Sequence, residues 1–106
     1  AIDVSMKVAW SEIQAVIRAA GVLQVGDISF TGDNGRIVMA ATDSKNPTAD
    51  RYEVEVADYG GDPFDMTIKV ENLKLIPADY EISLSSKGMS HFKSDKVQYW
   101  IAVQSN

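Results

Sequence analysis

His91 is the only histidine in this chain, so a catalytic triad or an imidazole metal site would have to be built around it. It alternates with Met89 on the strand face opposite Phe92, and no supporting nucleophile or carboxylate can be placed beside it, which leaves a surface or satisfied strand histidine. Asp58, Asp62 and Asp65 gather around Gly60-Gly61, and their oxygens suit a hard cation. Their spacing matches no calcium loop, however, and aspartates beside glycines are ordinary turn residues. With no cysteine there is neither a disulfide framework nor a thiolate site. Glu53 and Glu55 share one face of a strand, either as solvated charges or as an edge reserved for one specified neighbour. Gln14 and Arg18 share a helix face one turn apart, and Lys74 sits on a matching short turn later in the chain. These three read either as a wet helix surface or as a weakly cationic surface turned toward a polyanion. No residue set calls for a cofactor.

The elements that must hold these residues follow from periodicity. Ile2, Val4, Met6 and Val8 alternate with polar residues in a half-buried strand. A helix runs from Trp10 to Leu23, with Ile13, Val16, Ile17 and Ala20 as its apolar stripe and Ser11, Gln14, Ala15 and Arg18 opposite. Ile28 and Phe30 begin a strand that turns at Asn34-Gly35, a pair that accepts positive φ cheaply, and returns through Arg36 to Ala41. Thr42 to Asp50 is a polar loop. Tyr52, Val54 and Val56 mark a fourth strand. Asp58 to Pro63 is the strongest break.

After the break the order repeats in reduced form. Phe64, Met66, Ile68 and Val70 alternate, and Glu71 to Leu75 has room for one helical turn before Pro77 stops it. Tyr80, Ile82 and Leu84 follow, and Gly88 to Lys93 with Val97 to Val103 makes a final hairpin. The expectation is an α+β fold, one domain over residues 1-106, made of strand–helix–three-strand halves, 1-59 and 62-106, the second helix shrunk to about one turn.

Composition narrows the class. The chain has 106 residues, 45% hydrophobic and 24% charged, which suits one globular domain. No apolar run is long enough to span a membrane and no leader pattern is visible. The chain opens at Ala1 almost directly on a strand pattern, which suggests a domain within a longer chain. A net charge of −5 disfavours simple electrostatic binding to nucleic acid, though not a protein that surrounds DNA while gripping it weakly.

Ser11-Glu12-Ile13-Gln14, Gly21-Val22-Leu23-Gln24, Asp27-Ile28-Ser29-Phe30, Asp58-Tyr59-x-Gly61 and Asn72-Leu73-Lys74-Leu75 followed by Pro77-x-x-Tyr80 occur in an order that resembles the C-terminal domain of the sliding clamps of T4-like bacteriophages. The resemblance covers nearly the whole chain. It implies the DNA-clamp fold, a head-to-tail ring of such domains around duplex DNA, and no catalytic activity. It further implies a tether for the replicative DNA polymerase, an ATP-driven clamp loader, a role in late transcription, and the host cell cytoplasm as the place of action.

Carried onto this chain, the DNA-facing positions are Gln14, Ala15 and Arg18 on the helix and Asn72 and Lys74 on the short turn. The fourth strand, Arg51, Tyr52, Glu53, Val54, Glu55, Val56 and Ala57, would pair with a neighbouring subunit of a homo-oligomer ring, and Val97 to Val103 with the first domain of the same subunit. Partner peptides would enter an apolar pocket at Met39, Ala41, Pro77 and Val103. Two other classes share parts of the pattern. A cystatin-like inhibitor would wrap one continuous sheet around the helix, and a small hydrolase would use the aspartate cluster.

Overall fold

The structure, a computed structural model, describes residues 3–43, 51–73, 75–85 and 88–105. Ala1, Ile2, the segment 44–50, Lys74, residues 86–87 and Asn106 lie outside the described residues, and with them most of the expected polar loop. Strand β1 (Asp3–Val8) buries Val4, Met6 and Val8 and turns Ser5 and Lys7 outward. Helix α1 (Trp10–Leu23) buries Ile13, Val16 and Ala20, and Ile17 packs partly buried against the same core. The alternation and the 3.6-residue stripe thus place these side chains where their periods require.

Strands β2 (Asp27–Asp33) and β3 (Arg36–Thr42) form the expected hairpin, with Asn34 at φ 53° and Gly35 at φ 82°, the left-handed pair of a tight turn. Strand β4 (Tyr52–Asp58) follows, then β5 (Phe64–Lys69), a 3₁₀ turn (Val70–Asn72), β6 (Tyr80–Ser85), β7 (Met89–Lys93), β8 (Gln98–Ala102) and a short β9 (Gln104–Ser105). All pairings are antiparallel, in two sheets ordered β1-β6-β7-β8 and β4-β3-β2-β5-β9. Helix α1 lies over β2, β3 and β4, and β1 and β4 approach each other where the sheets meet. The fold is α+β, and its two separate sheets differ from the single continuous sheet that the cystatin-like alternative requires.

Three features depart from the sequence expectation. The short helical element is a 3₁₀ turn over Val70–Asn72, earlier than Glu71 to Leu75, because Leu73 turns into the core and its amide closes back on Val70 O at 2.9 Å. The last strand is interrupted at Val103, whose amide bonds Gly88 O at 3.0 Å, and the chain continues into β9, which pairs with β5. Each half also lends its first strand to the sheet built mainly by the other: β1 joins β6, and β5 joins β2. Neither half could complete its own sheet alone.

The glycine-rich joint has a packing reason. Tyr59 N donates to Gly35 O at 2.9 Å, Tyr59 Oη donates to the carbonyl of Asp62, and the ring meets Phe64 edge-on at 5.2 Å. A Cβ on Gly61 would lie 2.6 Å from Tyr59 Oη, and one on Gly32 would lie 2.2 Å from Phe64 Cε1. Both glycines are present because aromatic rings occupy the space of a side chain.

Helix α1 has no capping side chain of its own, since Ala9 stands at the N-cap. The cap arrives through space: Trp10 N donates to Asp79 Oδ1 at 2.8 Å. The other end of α1 is tied to the same downstream segment, because Val70 N donates to Gly26 O at 3.0 Å. Residues 70–73 and 75–79 therefore take the place of a second helix as a strap fixed near both ends of the first. Tyr80 Oη holds the strap by donating to Ile76 O at 2.7 Å, and burial, with Tyr99 adding to it, raises the Tyr80 pKa. Asp79→Ala is expected to lower stability by about 1 kcal/mol, the usual worth of a helix cap favoured by the dipole, and Asp79→Asn by less. Urea unfolding of the two variants against the parent chain measures both.

Candidate functional site

The surface that α1 turns away from the core is set by its period. Ser11, Ala15, Arg18 and Val22 follow one another at spacings of four, three and four, with Gln14 at the margin of the stripe. Arg18 and Ser11 are exposed, Gln14 and Ala15 are half-buried, and Val22 is 83% exposed. Asn72 is exposed on the 3₁₀ turn beside exposed Glu71. Lys74 lies outside the described residues. Gln14 and Arg18 thus share a face that the structure leaves open, and Glu12 supplies the acid that the first turn of a helix favours.

Strand β4 ends its sheet and, among the described residues, pairs only with β3. Val54 and Val56 pack partly buried against the core, Glu53 and Glu55 face out, and Tyr52 is exposed. The two glutamates are each paired with an arginine, Glu55 with Arg36 at 3.5 Å and Glu53 with Arg51 at 2.7 Å. Such exposed pairs add little stability, but they keep the edge polar. The register steps from Ile37–Ala57 to Val38–Glu55, so Val56 has no opposite residue and the edge carries a bulge. Strand β8 ends the other sheet.

The four expected pocket residues do not come together as a surface. Met39 and Ala41 are fully buried, at 0% exposure, because β3 lies between β4 and β2 and aims both beneath α1. They are core residues, and a peptide could reach them only by opening the core. Val103 is also buried, whereas Pro77 is exposed on the strap.

What the sequence reading missed is Trp100. It is 64% exposed at the centre of β8 and stands directly opposite His91 of β7, the rings stacked at 4.8 Å and 21°. His91 Nε2 lies 2.8 Å from Gln98 Oε1, and Met89, 44% exposed, lies along the same face. The only histidine is therefore one wall of an apolar patch. Gln98, Trp100 and Ala102 share the outward face and Tyr99, Ile101 and Val103 the inward one, and with every residue from Tyr99 to Val103 apolar the sequence carried no signal of direction.

Among the described residues no three His, Cys, Asp or Glu side chains converge as metal ligands, and Asp58, Asp62 and Asp65 are spread along the exposed joint. An open cavity of about 550 Å³ beside the start of α1 is lined by Lys7, Asp79, Glu81, Lys93 and Asp95 among others. Its Asp79 is committed to Trp10 N and Ser94 Oγ to its own turn.

Comparison with known proteins agrees with this geometry. A family model described as gp45 sliding clamp, C terminal, matches residues 5–105. The sliding clamp of Escherichia phage RB69 is 28% identical over 102 residues, covering 90% of this chain and 45% of that protein. That of Vibrio phage KVP40 is 28% identical over 96 residues, covering 88% and 43%, and that of Enterobacteria phage T4 is 26% identical over 102 residues, covering 90% and 45%. The chain therefore spans less than half the length of these curated relatives. It belongs to the gp45 sliding clamp family, in which it is a C-terminal domain.

Proposed function

We propose that this chain is one domain of a clamp subunit that closes, as a homo-oligomer, into a ring around duplex DNA and tethers the replicative DNA polymerase. The observation that supports the reading is a helix whose outward face carries Gln14 and Arg18, laid on a sheet whose end strand β4 pairs among the described residues with β3 alone, while β8 is an end strand of the other sheet. Gln14, Arg18, Asn72 and Lys74 face the DNA. Strand β4, with Arg51 beside it, receives a strand from the neighbouring subunit, and β8 pairs with the other domain of its own subunit. Residues 1-59 and 62-106 are the two halves of one domain. The protein holds its substrate by topology and needs no catalytic group. A clamp loader opens the ring, late-transcription factors share it, and the host cell cytoplasm during infection is where it works.

The apolar face of Met89, His91 and Trp100 holds the polymerase, with Val103 buried beneath its edge. An exposed tryptophan with an apolar neighbour is the usual anchor of a binding surface, and this one lies on the terminal strand assigned to the domain junction. Primer extension on a primed circular template tests the reading. With its loader, the full-length protein is expected to convert short products into full-length ones, and unchanged product length would overturn the proposal.

A further inference from the structure

We infer that Val22 sets how loosely this domain holds the duplex, an inference that rests on the clamp reading above. The outward stripe of α1 carries a single cation, Arg18, which makes no ion pair among the described residues. One turn further on, at the spacing that would place a second cation beside it, stands Val22, 83% exposed. Stability does not account for this residue. It buries almost nothing, and a β-branched side chain in an exposed helix position is a poorer helix former than Ala or Lys.

Position adds to the effect. Val22 lies in the last turn of α1, where the unpaired carbonyls concentrate the negative end of the helix dipole and no basic residue offsets them. A phosphate approaching that end meets a methyl surface and a partial negative charge. On the 3₁₀ turn, Glu71 and Asn72 add no cation. The described part of the DNA-facing surface therefore grips one phosphate per subunit, through Arg18, and Val22 leaves the next phosphate free. The consequence at this domain is a surface with little to break at each step along the duplex.

The run-off time of loaded full-length rings from linear duplex, measured against salt, tests this. Each phosphate contact contributes about 0.9 to the slope of the log binding constant against log salt, so a phosphate that must be released at each step makes the run-off time more salt-dependent. Arg18→Gln is expected to make the run-off time less salt-dependent, Val22→Lys to make it more so with severalfold slower run-off at low salt, and Val22→Gln to leave it unchanged. A parental salt dependence in Val22→Lys rings, or the same rise in Val22→Gln, would overturn the inference while leaving the clamp intact. If parental rings are not retained on circular duplex, the clamp reading itself fails, and the inference with it.

Discussion

Gly32→Ala is expected to cost about 3 kcal/mol, the upper range for overpacking a filled core. The new Cβ would stand 2.2 Å from Phe64 Cε1 and 2.6 Å from Cδ1, so the ring must move. It has little freedom to do so. Phe64 is buried, and Tyr59, edge-on against it, is fixed by its amide to Gly35 and by its hydroxyl to Asp62. Moving the ring disturbs the contact that joins β4 to β5. Phe64→Ala alone is expected to cost about as much by leaving a cavity. The double variant should cost less than the sum, because the vacated ring space accepts the new methyl. Urea unfolding of the three variants gives the coupling directly. A Gly32→Ala cost under about 1 kcal/mol, or strict additivity, would show that the ring moves aside freely.

On the proposed function, Trp100→Ala is expected to weaken polymerase binding by about 2 kcal/mol or more, close to 30-fold, with little effect on folding. The side chain is mostly exposed, so its removal creates no cavity, whereas a partner covering it would desolvate both Trp100 and Met89. His91→Ala should weaken binding less, because it removes the ring that orients Trp100 and leaves the anchor in place. Equilibrium binding of the full-length clamp to polymerase, beside a thermal melt of each variant, separates the effects. Unchanged affinity for Trp100→Ala would move the tether elsewhere.

Much of this was legible in the residues. The Trp10–Leu23 helix follows from its apolar stripe, and the hairpin from Asn34-Gly35, because both signals are local. Pairing partners were not, since alternation tells which face of a strand is buried and says nothing of its neighbour. The exchange of β1 and β5 between the sheets therefore appears only in three dimensions. Direction also fails where a strand is apolar throughout. Ile37 to Ala41 is such a run, which is why Met39 and Ala41 could be carried over to a pocket although both face the core. The run from Tyr99 to Val103 hid Trp100 in the same way. Asp79 gave no signal, because the helix it caps begins 69 residues earlier in the chain.

The central claim is that the protein holds DNA by enclosing it. Loading the full-length protein onto nicked circular duplex, raising the salt, and then cutting the circle once measures this most directly. An enclosing ring is expected to stay on the circle at high salt, where phosphate contacts are screened, and to leave promptly after the cut. Retention that falls with salt equally on circular and linear DNA would contradict the account, because it would mean that the protein binds a surface of the duplex and does not surround it.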